Sequence, residues 1–133
     1  MRKEVYLKYS LATLIFLCFV QLSFAQKDVF IREMEFKLDE ISPNEYENEY
    51  FMTLNFNKGT SYKFKILNKI EGLPGEAVVK ILDGDKLVGT NSIGDKYFDT
   101  FMFQCNKTGF YDILITFKDN QTGHAKVNLF MIQ

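Results

Sequence analysis

Tyr97-Phe98-Asp99-Thr100-Phe101-Met102-Phe103-Gln104-Cys105, then Asn106-Lys107-Thr108-Gly109, then Phe110-Tyr111-Asp112-Ile113-Leu114-Ile115-Thr116-Phe117-Lys118 is the stretch around which the chain is organised. Two runs rich in aromatic and β-branched residues flank a turn signal that ends in glycine. That is the pattern of two strands reversing direction through a short loop. Side chains alternate along a strand, so Phe101, Phe103 and Cys105 share one face of the first run. Tyr111, Ile113, Ile115 and Phe117 share one face of the second. These two faces are the densest apolar surface beyond the N-terminal region, and they belong in the core.

Working outward, the same period of two recurs. Met34, Phe36 and Leu38 alternate with Glu33, Glu35 and Lys37. Met52, Leu54 and Phe56 alternate with Phe51, Thr53 and Asn55. Tyr62, Phe64 and Ile66 alternate with Lys63 and Lys65, the clearest half-buried strand in the chain. Ala77, Val79 and Ile81 oppose Val78, Lys80 and Leu82. Asp83-Gly84-Asp85 is a hairpin turn before the short strand Leu87–Thr90. The last strand sets Ala125, Val127, Leu129 and Met131 against His124, Lys126, Asn128 and Phe130. Residues 26–28 read as a frayed end. Glu45-Tyr46-Glu47-Asn48-Glu49-Tyr50 reads as a charged edge strand of the kind that discourages sheet aggregation. About eight strands with no helix after the N-terminus predict a single antiparallel β-sandwich over residues 26–133. Eight strands suit a jelly roll; seven in immunoglobulin-like order is the competing arrangement.

The N-terminus reads as an export signal spanning residues 1–25. Arg2, Lys3 and Lys8 precede an apolar run from Leu11 to Val20, and Ser23-Phe24-Ala25 places small residues where a signal peptidase reads them. An uncleaved anchor is the alternative, but the run is shorter than the ~20 apolar residues of a spanning helix. The expected location is therefore the periplasm, the cell surface or the extracellular space, with no membrane span after cleavage. Without residues 1–25 the chain holds 13 basic and 16 acidic residues, a net charge of −3. No run of Lys or Arg supplies a nucleic-acid footprint. Cys105 is then the only cysteine, so stability rests on the core rather than on a disulfide.

The segment Leu54-Asn55-Phe56-Asn57-Lys58-Gly59-Thr60-Ser61-Tyr62-Lys63-Phe64 resembles the strand, Gly-Thr, aromatic-x-aromatic opening of bacterial pre-peptidase C-terminal domains. Val79-Lys80-Ile81-Leu82-Asp83-Gly84 is similar to their next strand. Phe103 through Thr108-Gly109-Phe110-Tyr111-Asp112-Ile113 is similar to their closing motif. The resemblance spans roughly residues 54–115. It implies a small jelly-roll-like sandwich on an exported bacterial protein, accessory to an enzyme, in some cases binding collagen or polysaccharide. It brings no catalytic residues, and here no enzyme is attached.

The residues that carry chemistry are few. His124 is the only histidine. A nucleophilic site would need it beside Cys105 or a serine, but residues 110–118 alone span roughly 26 Å at ~3.3 Å per residue. Cys105 therefore reads as a small buried hydrophobe and His124 as an exposed strand-start residue. Zinc lacks ligands. Asp83, Asp85, Asp95 and Asp99 are the candidate calcium donors, although Asp-Gly is also ordinary turn chemistry. No phosphate loop or dinucleotide fingerprint occurs, so no cofactor is expected. Tyr46, Tyr50, Tyr97 and Phe98 are candidate aromatic platforms for a glycan. Two loops carry apolar side chains that strand alternation does not explain. From them Ile70, Leu73, Ile93, Tyr97 and Phe98 form a candidate partner-binding patch at one end of the sandwich, or else plug the open end of the core. The sequence thus predicts a non-enzymatic exported module that recognises a protein or a glycan. A structural part of a cell-surface assembly is the alternative.

Overall fold

A computed structural model describes residues 27–133; the export signal expected over residues 1–25 lies outside the described residues. The strands are β1 (Asp28–Leu38), β2 (Tyr50–Phe56), β3 (Ser61–Leu67), β4 (Ala77–Asp83) and β5 (Lys86–Thr90), then the two-residue β6 (Ser92–Ile93) and β7 (Lys96–Tyr97), and finally β8 (Thr100–Gln104), β9 (Gly109–Phe117) and β10 (Gly123–Ile132). One four-stranded sheet has the order β1-β10-β3-β8 and the other β2-β9-β4-β5; β6 and β7 form a small hairpin outside both. All pairings are antiparallel. With β6–β7 set aside, every connection crosses from one sheet to the other except the β4–β5 hairpin, which is the order of a two-Greek-key jelly roll. The immunoglobulin-like alternative is thereby excluded.

The strands form where the alternation placed them, and the alternate residues meet between the sheets. Met34, Phe64, Val79, Ile81, Ile113, Ile115 and Val127 are fully buried. Phe56 is the hub of the aromatic part of the core. Its ring centroid lies 4.3 Å from that of Tyr62, 5.6 Å from Phe103, 5.6 Å from Tyr111 and 6.4 Å from Phe64. These are the separations at which aromatic pairs gain beyond area burial. Cys105 is 1 % exposed, a buried small side chain.

Three local expectations change. β8 and β9 reverse direction but do not pair with each other. β8 pairs with β3 and β9 with β2 and β4, so the Cys105–Thr108 loop crosses from one sheet to the other. Its polar groups are satisfied by the β2–β3 turn: Gly59 N donates to Cys105 O, Cys105 N to Thr60 O, and Lys58 N to Thr108 Oγ1. Phe103 and Tyr111 then face each other across the core, 5.5 Å apart, edge to face. Secondly, Asp28 is not part of a frayed end: it opens β1 opposite Ile132 of β10, and its carboxylate takes the Lys63 ammonium at 2.7 Å. Thirdly, Glu45–Asn48 is one turn of 3-10 helix, not an edge strand. The Asn44 side chain caps it by accepting from Tyr46 N, a bond that competes successfully with strand pairing. Pairing with β9 begins only at Tyr50.

Candidate functional site

Jelly-roll order puts the connections into two groups. At one end lie three tight turns: residues 57–60, 84–85 and 105–108. At the other lie four long loops: 39–49, 68–76, 91–99 and 118–122. A rigid sandwich that presents its long loops together is the usual arrangement for recognition. The four non-glycine residues with positive φ among the described residues are all here: Lys69 (57°), Glu71 (57°), Asp119 (56°) and Asn120 (53°). Left-handed backbone costs such residues of order 1–2 kcal/mol each, so their surroundings must hold them there.

Three buried polar side chains, Asn48, Asn91 and His124, also belong to this end. Asn48 accepts from Ser42 N at 2.7 Å and donates to Ser42 O at 2.8 Å, closing the first loop on itself. Asn91 is 1 % exposed. Its Oδ1 accepts from Val79 N (2.8 Å), and its Nδ2 donates to Ala77 O (2.9 Å) and Phe98 O (3.2 Å). It thereby hangs the β6–β7 hairpin on β4.

His124 corrects its sequence reading: it is 3 % exposed, not a surface residue. It faces outward on β10, but the 68–76 loop folds over it. Nε2 donates to the Glu35 carboxylate at 2.8 Å, and Nδ1 lies 3.7 Å from that of Glu71. Glu71 in turn takes the Lys37 ammonium at 2.7 Å. That bond holds the Glu71 carboxyl below the usual range and pushes Lys37 up.

The candidate patch residues divide within this end. The loop carrying Ile70 and Leu73 leans over β10. Ile93, Tyr97 and Phe98 sit on the hairpin that Asn91 carries. Ile93 and Phe98 are exposed, and Tyr97 lies under the Lys118 ammonium at 4.8 Å from its centroid. Tyr46 is 83 % exposed. Tyr50 packs instead against Phe36 in the core. The aspartates do not converge. Asp83 and Asp85 flank the β4–β5 turn, while Asp95 and Asp99 lie at the far end of β5. Among the described residues no group of three or more His, Cys, Asp or Glu is placed to hold a metal ion. His124 and Cys105 lie at opposite ends. Burial, with the neighbouring Cys105, pushes the Tyr111 phenol up to about 12, and its hydroxyl donates to Lys107 O at 2.5 Å.

Charge separates the two ends more than the overall balance shows. Residues 39–49 carry five acids and no base. The 68–76 and 91–99 loops carry two acids and one base each, and 118–122 one of each. Ten acids against three bases give the loop end −7, which leaves +4 for the rest of residues 26–133.

No protein-family model matches the chain, and no curated protein matches it by sequence. Among solved structures it is similar to PliG of Aeromonas hydrophila, a periplasmic inhibitor of g-type lysozyme. The TM-score is 0.50 at 13 % identity, over 80 % of this chain and 85 % of that one. At that identity the likeness shows a shared β fold.

Proposed function

We propose that this protein is an exported, non-enzymatic binding module whose acidic loop end docks a cationic surface of a partner protein. The observation that carries the reading is the −7 loop end on a body of opposite sign, with Tyr46, Ile93 and Phe98 exposed among the acids. Complementary potential steers encounter and selects partners, and exposed aromatic and aliphatic anchors within a charged rim are the usual composition of an energetic centre. The fold shared with a lysozyme inhibitor supports a protein partner over a glycan, and a g-type lysozyme is the first partner to try. An accessory role, as the pre-peptidase C-terminal resemblance implies, is compatible with the same surface. Export follows from the Ser23-Phe24-Ala25 signal.

Titration of the exported chain against a purified g-type lysozyme, and capture from the envelope fraction, test the reading together. Retention should weaken as salt rises from 50 to about 500 mM, because screening shortens to a few Å. It should be lost in Tyr46→Ala/Phe98→Ala and kept in Phe110→Ser, which lies on the outer face of β9. Retention that needs no loop-end residue, or no retained protein at all, defeats the proposal.

A further inference from the structure

Between the first and last loops of the acidic end lies a half-open cleft of about 360 Å³. Its lining has two chemically distinct parts. Leu38 and Phe117, both core residues, supply an apolar wall. Glu45, Glu49, Asn120 and Gln121 supply two carboxylates and two amides. Among the described residues neither Glu45 nor Glu49 takes part in an ion pair, whereas Asp28, Asp39 and Glu71 each pair with a lysine. The segment 39–49 contains no base that could turn inward to neutralise them.

Both walls are held rigidly. The Phe117 ring stacks on Phe36 at 5.1 Å and 11°. The chain passes it at Gly75 and Gly123, where an added Cβ would collide with that ring. On the other side the double hydrogen bond of buried Asn48 to Ser42 fixes the turn that bears Glu45. The cavity is therefore formed before any ligand arrives, and it is of the size of a small binding pocket.

A side chain that suits this cavity has a long apolar stem and a cationic head. Lysine and arginine bury their methylenes along apolar surface and keep the head among polar partners. Arginine adds a planar fork that matches carboxylates and amide oxygens. We propose that the cleft is the receptor for one arginine or lysine side chain of the partner, with Glu45 and Glu49 holding the head and Leu38 and Phe117 the stem. This rests on the protein-binding role proposed above and names the anchoring contact within it.

The probe is N-acetyl-arginine amide, followed by NMR on the isotope-labelled exported chain, with the neutral isostere N-acetyl-citrulline amide as control. The arginine derivative should give saturable shifts confined to Glu49, Asn120, Gln121 and their neighbours. The citrulline derivative should give none there. Glu45→Gln/Glu49→Gln should weaken the arginine response about tenfold or more, as loss of charge-assisted hydrogen bonds does, while its melting curve overlays the parent. Equal response to citrulline, shifts spread over all the acidic loops, or an unchanged response in the double variant would each overturn the assignment. The same variant separates this inference from the broader one. If a g-type lysozyme or envelope partner is retained through Tyr46 and Phe98 but binds the double variant as tightly as the parent, the docking end stands and the cleft is not its anchor.

Discussion

Asn91 connects three elements through one amide. Its Oδ1 and Nδ2 serve Val79 N and Ala77 O on β4, its second amide hydrogen reaches Phe98 O, and its own carbonyl accepts from Phe98 N. A residue this buried strands its partners when truncated. Each orphaned buried group costs about 1–3 kcal/mol. Asn91→Ala should therefore lower stability by about 3 kcal/mol in denaturant unfolding and speed amide exchange at Phe98. A loss under 0.5 kcal/mol, with Phe98 still protected, would mean that the hairpin is held by something else. Asn48 and His124 follow the same logic. Polarity marks where a loop meets a sheet at Asn91 and His124, and where a loop closes on itself at Asn48. Asn91 is one of three consecutive polar residues, Thr90-Asn91-Ser92, and nothing in sequence separates it from its neighbours, which is why alternation passes over it.

Strands are the scale at which one face can be tested against the other. Phe103 is buried between sheets and touches Phe56, Tyr62 and Tyr111, whereas Thr116 faces outward from β9. Phe103→Ala should cost roughly 3–5 kcal/mol, the combined loss of transfer energy and packing around a cavity. Thr116→Ala should cost under about 1 kcal/mol. Comparable midpoint shifts in urea would show that the inward face of β8 has been misassigned. The 3-10 turn Glu45–Asn48 shows the limit of alternation at this scale. A strand pattern in the side chains does not make a strand where Asn44, Ser42 and Asn48 offer the backbone closer partners.

For the whole molecule the consequential property is polarity of charge along the sandwich. A net charge of −3 conceals −7 at one end and +4 elsewhere. Such a distribution favours oriented encounter with a cationic surface, an effect that salt screens. Function in this form also presumes export. Intact mass of the extracytoplasmic protein should correspond to a chain beginning at Gln26. A mass that retains Met1–Ala25 would leave the domain tethered and would contradict the cleavage reading of Ser23-Phe24-Ala25.

Period-two alternation in eight segments determined the all-β class, the inward faces and most strand positions, because side-chain direction in a strand is a local property. The same local physics placed the Asp83–Asp85 turn and made Cys105 a core residue. Tertiary structure alone decided which strands pair. Phe103 and Tyr111 both turn inward whether β8 and β9 form a hairpin or arch between sheets. The arch follows from partners 40 to 50 residues away, Thr60 for Cys105 and Lys58 for Thr108. It also decided that His124 is buried, since only the fold brings Glu71 and Glu35 onto it from distant segments. The gathering of four loops, their acids and the Glu45–Gln121 cleft at one end is of the same kind. Those residues are far apart in the chain, and nothing in their local patterns specifies that strand order will make them neighbours.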